Sequence, residues 1–178
     1  MANTVSCKWN ATDVLDRRVF LARTLALLGV AAAPGVLAAA PTRRMTVYKD
    51  AGCGCCKAWI SHMTGAGFVI DARDVPDISA IKRDMGVPSA LASCHTGVIG
   101  SVLIEGHVPA AVVLRFLAAQ ENPKTRVAAW RGLAVPGMPT GSPGMEGPNP
   151  ERYDVLAFGE QGRTAVFSRE VGRATSSS

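Results

Sequence analysis

The stretch Met45-Thr46-Val47-Tyr48-Lys49-Asp50-Ala51-Gly52-Cys53-Gly54-Cys55-Cys56-Lys57-Ala58-Trp59 decides how the chain is read. Met45 to Lys49 is a short β-type run. A Gly/Cys turn follows, and Lys57 to Gly65 has helical spacing, with Trp59, Ile60 and Met63 on one face and Gly65 and Gly67 ending it. Three sulfurs within four residues therefore sit at the junction of a strand and a helix. A thiol at a helix N-terminus is acidified by the free N–H groups and the helix dipole, so it serves both as nucleophile and as soft metal ligand.

Downstream the alternation continues. Phe68 to Ala72 reads as a second strand. Pro76-Asp77 opens a helix in which Ile78, Ile81 and Met85 share a face while Lys82, Arg83 and Asp84 point to water. Thr96 to Ile104 reads as a hairpin or two short strands around two glycines. Pro109 begins a helix whose buried face carries Val112, Val113, Phe116 and Leu117. The order β-α-β-α-β-β-α, with the cysteine turn between first strand and first helix, looks like the thioredoxin fold. The expected fold class is therefore α/β: a thioredoxin-like domain over 44–121, with a Gly/Pro/Met-rich loop and a C-terminal β-hairpin over 122–169. Gly132 to Pro150 holds five Gly and five Pro in 19 residues, too many for a helix or central strand. Tyr153 to Phe158 and Thr164 to Ser168 read as the hairpin strands, and 170–178 as a frayed tail.

Ahead of this body lies Asp16-Arg17-Arg18-Val19-Phe20-Leu21-Ala22, then an apolar run from Thr24 to Leu37 closed by small residues. This is the layout of an export signal, and its uncharged part is shorter than the roughly 20 residues of a bilayer helix. The paired arginines followed by Phe20-Leu21 resemble the twin-arginine pattern. Residues 1–38 are read as a cleaved signal, removing Cys7 and giving a periplasmic mature chain without a stable membrane span. Net charge is +5, scattered and without basic runs, so nucleic acid is not an expected partner.

The mature cysteines are Cys53, Cys55, Cys56 and Cys94. Cys53 and Cys56 form a C-x-x-C pair, to which Cys55 adds a sulfur that could capture a disulfide in the wrong pairing. In a site for several soft ions the same sulfur can bridge two metals. Cys94 and His95 precede the third strand, where thioredoxin folds face the dithiol, so the four sulfurs are expected to converge. Four thiolates suit zinc, iron–sulfur or Cu(I), and thioethers point to copper. Met138 and Met145 offer two thioethers on a loop that cannot present a helical stripe, and that loop is expected to close over the cysteines as a lid. His107 is read as positioning a turn, His62 as a surface residue and Trp59 as core.

Cys53-Gly54-Cys55-Cys56-Lys57-Ala58-Trp59, Cys94-His95-Thr96, Glu105-Gly106-His107-Val108-Pro109 and Gly132 to Glu146 together resemble the CopG-type copper-resistance proteins over roughly residues 44–168. The resemblance implies a multinuclear, cysteine-bridged copper site and Cu(I)/Cu(II) interconversion in copper resistance. The expected metal ligands are Cys53, Cys55, Cys56, Cys94, His95, Met138 and Met145, and the expected cofactor is copper. Copper efflux or carrier proteins are the expected partners of a monomer. Whether the protein turns over as a copper oxidoreductase stays open here. So do a thiol–disulfide oxidoreductase of the same fold and a non-catalytic copper carrier.

Overall fold

The computed structural model describes residues 43–122 and 130–175. The expected export signal, with Arg17, Arg18 and Cys7, lies outside the described residues. Among the described residues, seven strands and three helices follow one another as β1 (Arg43–Lys49), α1 (Gly54–Gly65), β2 (Phe68–Asp74), α2 (Ile78–Met85), β3 (His95–Ile99), β4 (Val102–Glu105), α3 (Ala110–Glu121), β5 (Trp130–Ala134), β6 (Arg152–Gly159) and β7 (Thr164–Val171). All strands join one mixed sheet in the order β2-β1-β3-β4-β5-β6-β7. β1 pairs parallel with β2 and antiparallel with β3, β3 and β4 form a hairpin, β4 runs parallel to β5, and β5, β6 and β7 are antiparallel neighbours.

Strand periodicity splits the apolar residues between the two faces. Ile104, Leu133 and Ala157 face a core filled by Trp59 and Met63 of α1 and by Val112, Val113, Phe116 and Leu117 of α3. Their chain neighbours Leu103, Ala134 and Phe158 turn the other way, toward Val87, Leu91 and Met85. Helix ends are capped by local chemistry. Cys53 is the N-cap of α1, its sulfur accepting from Cys56 N–H, and the Asp77 carboxylate accepts from Ala80 N–H at α2. The first N–H of α3, on Ala110, donates to His62 Nε2 at 3.1 Å, so His62 is a capping residue of a neighbouring helix rather than a bystander on the surface.

The Gly/Pro-rich stretch divides differently from its composition. Gly132 to Ala134 belong to β5, which lies inside the sheet between β4 and β6. Gly132 is required by close approach: a Cβ there would stand 2.1 Å from the Leu103 carbonyl oxygen and 2.9 Å from the Phe158 ring. The residues read as a frayed tail from 170 are paired at their start, with β7 reaching Val171, Gly172 N–H donating to Glu151 O and Arg173 N–H to Gly141 O. Lys82, expected in water, is only 6% exposed. Among the described residues, no helix is long and apolar enough to cross a membrane.

Candidate metal centre

The β1–α1 turn places Cys53 as N-cap and Cys55 and Cys56 in the first turn of α1, while Cys94 arrives on the segment entering β3. Because β3 pairs with β1, that segment returns to the end of β1 from which the turn springs. Cys53 and Cys56 are joined as a disulfide, and Cys55 and Cys94 are free. Cys55 Sγ lies 3.6 Å from Cys53 Sγ and 3.9 Å from Cys94 Sγ, in reach of both. With the disulfide reduced, four thiols would occupy one small volume, donor atoms within 4.8 Å of one another.

Two imidazoles complete the cluster. His95 Nδ1 is 3.3 Å from Cys94 Sγ, and its fully buried ring packs on Trp59, with ring centroids 4.3 Å apart. Among the described residues its Nε2 has no hydrogen-bond partner. His107, in the turn between β4 and α3, is also fully buried. Its Nδ1 lies 2.8 Å from the Pro143 carbonyl and its Nε2 3.0 Å from Cys94 Sγ. A carbonyl only accepts, so Nδ1 carries the proton and the lone pair of Nε2 faces the sulfur. A neutral imidazole held by a carbonyl at one nitrogen and free at the other is the arrangement in which histidines bind metals. From sequence alone His107 reads as a turn former. Its spacing from Cys94 gives no pattern, since the β3–β4 hairpin creates their proximity.

The Met loop does fold back on this cluster. Pro143 supplies the carbonyl for His107, and Gly144 (φ +85) lies so close to α1 that a Cβ would stand 2.8 Å from Cys55 O and 2.7 Å from Trp59 N. On the other side Ser93 Oγ donates to Gly137 O. The two methionines part company. Met145 is half-buried within a turn closed by Gly141 N–H to Met145 O, whereas Met138 is 53% exposed. Met138 borders, with Ser93, Cys94 and Lys82, an open cavity of about 330 Å³.

Burial dominates the electrostatics. The Cys94 thiol is pushed up to about 12 by desolvation and by neighbouring Cys55, so without metal it keeps its proton. His95 is held well below 6.5 by burial and by the charges that His107 and Lys82 would present. Burial also lowers His107 and His62. All three imidazoles are thus kept neutral, the form that binds metal. Below pH 6.5 the unfolded chain takes up protons that the fold resists, so this stability is complete above 6.5 and is lost as pH falls. The metal-free protein should lose stability from pH 7 to pH 5, its melting temperature falling as the pH drops below 6.5. A melting temperature constant across that interval would contradict the assignment.

Set beside known proteins, a family model described as "Protein of unknown function, DUF411" matches residues 91–145, which carry Cys94, His95, His107 and the Met loop. No curated protein matches the chain. Two solved structures of a copper resistance protein, copG, do. Form 2 is 42% identical with a TM-score of 0.65, covering 72% of this chain and 98% of its own. Form 1 is likewise 42% identical at 0.65, covering 74% and 99%. With nearly the whole length of those chains matched at that identity, this protein belongs to the CopG copper-resistance family.

Proposed function

We propose that the protein binds copper through Cys53, Cys55, Cys56, Cys94, His95 and His107, holding more than one ion and cycling them between Cu(I) and Cu(II) in copper resistance. One observation carries this reading. Free Cys55 and Cys94 lie side by side, and the unprotonated nitrogen of His107 is directed at Cys94 Sγ. The donor set fits the metal, being four soft sulfurs and two neutral imidazoles in a partly dry site. Six donors exceed the about four that saturate one tetrahedral ion, which supports sulfur bridging between ions. When bound, copper supplies a one-electron couple. Cys53 and Cys56 would hold copper as thiolates beside Cys55 and Cys94 only once their disulfide is reduced.

The arrangement β2-β1-β3-β4 with α1 following the cysteine turn supports a thioredoxin-like core to which β5, β6 and β7 are added. The disulfide at the N-terminus of α1 favours a second reading, a thiol–disulfide oxidoreductase of that fold. Titrating the reduced, metal-free protein with Cu(I) against a competing chelator separates the two. The copper reading expects more than one equivalent bound per chain. Absence of Cu(I) binding together with reduction of a substrate disulfide would establish the other.

The site works in the periplasm in this reading, reached through the twin-arginine route. Replacing Arg17 and Arg18 by Lys should leave precursor trapped in the cytoplasm, and export at the normal rate would contradict that route. The methionines are assigned separate parts. Met138, exposed beside Cys94, captures incoming Cu(I), while half-buried Met145 stays with the closed loop. Leucine preserves volume while removing sulfur. Met138→Leu should load Cu(I) several-fold more slowly to the parent's final content, whereas Met145→Leu should alter the spectrum of the loaded site. Parental loading and spectrum in both would make the loop a cover by shape alone.

A further inference from the structure

Beneath Cys94 and His95 lies a buried polar cluster that neither the copper ligands nor the hydrophobic core accounts for. The Glu105 side chain, at the end of β4, is fully buried, and that of Lys82, from α2, is 8% exposed. Glu105 Oε1 accepts from Lys82 Nζ at 2.5 Å and from the backbone N–H of Ser93 at 2.6 Å. Its Oε2 accepts from Thr96 Oγ1 at 2.7 Å, and Lys82 Nζ donates a further bond to Thr96 Oγ1 at 3.0 Å.

A buried ion pair is weak evidence for stability, since apolar replacements of similar volume often serve as well. The partners of this pair are informative for another reason. Ser93 and Thr96 flank Cys94-His95 on either side, so one carboxylate grips both ends of the dipeptide that carries a sulfur and an imidazole. The backbone adds a third tie, Gly106 N–H to His95 O. Lys82 fixes the carboxylate in turn, reaching it from α2.

We propose that Glu105 and Lys82 are positioning residues for the metal centre, holding the segment from Ser93 to Thr96 so that Cys94 faces Cys55 and His107. The inference rests on Cys94 and His95 being copper ligands. Neither Glu105 nor Lys82 touches the metal; they act through the ligands they orient. Partners of this kind typically set metal affinity by about 10–100-fold.

The test uses the mature chain in two variants. Lys82→Met with Glu105→Met replaces the pair by apolar volume. Glu105→Asp keeps the charge opposite Lys82 but draws the carboxylate back, so that it cannot reach both Ser93 and Thr96. Phe116→Leu, in the core on α3, serves as a destabilised control. In metal-free protein, amide exchange at Ser93 and Cys94 should quicken by about tenfold in both pair variants relative to the rest of the fold, and not in the control. Cu(I) affinity should fall by at least about tenfold in the pair variants and hold in the control. Exchange and affinity equal to the parent's in whichever pair variant folds, or exchange rising evenly over the whole protein, would overturn the proposal. A parent that binds no Cu(I) would instead refute the copper reading, leaving the exchange result to stand by itself.

Discussion

Cys55→Ser should lower Cu(I) affinity by at least about 100-fold, beyond the 10–100-fold typical of groups outside the ligand set. Copper bound per chain should fall with it, while the metal-free protein melts within a few degrees of the parent. Cys55 takes no part in the Cys53–Cys56 disulfide, yet its sulfur lies in reach of both Cys53 and Cys94, at 3.6 Å and 3.9 Å. That is where a bridging ligand belongs and where an exchange enzyme has no use for one. Serine keeps the shape and substitutes a hard oxygen that copper disfavours. Chelator competition on reduced protein measures the affinity. A variant with the parent's full copper load would show that the site does not depend on bridging by Cys55.

Gly132→Ala should cost more than about 4 kcal/mol, the range of severe steric insertions. At 2–4 °C per kcal/mol for a protein of this size, the melting temperature falls by roughly 10 °C or more. A single methyl carbon would stand 2.1 Å from Leu103 O, so β5 cannot keep its pairing with β4. The consequence reaches the metal centre. Val135 N–H donates to Glu105 O directly after β5, and the Met loop that supplies Pro143 to His107 starts there. Thermal melts of metal-free parent and variant measure the loss, and a change under about 1 kcal/mol, within the range of ordinary surface substitutions, would mean that β4 and β5 separate more easily than their packing indicates.

Much of this was legible in the sequence, for reasons that also mark where legibility stopped. The alternating strands and helices from β1 to α3 follow from apolar periodicity, and Cys53, Cys55 and Cys56 announce themselves by adjacency. Composition misled at Gly132, because a window rich in Gly and Pro averaged a central strand with the loop after it. A glycine demanded by interstrand contact looks, in one dimension, like a glycine demanded by a turn. His107 was missed because the hairpin that brings it to Cys94 is a tertiary fact. Lys82 was assigned to water by helical periodicity, and its burial depends on Glu105 and Thr96, residues on two strands far along the chain. His107 and Lys82 were thus the least readable, since long-range partners alone make their burial tolerable.

The central claim, a cysteine-bridged copper site with more than one ion, is tested most directly by counting copper in mature protein. The protein would be purified anaerobically from copper-grown cells, with absorption spectra recorded before and after a mild reductant. The account predicts more than one copper per chain and a spectrum that bleaches on reduction while the copper stays bound. Protein that emerges metal-free, carrying only a reducible Cys53–Cys56 disulfide, would contradict it.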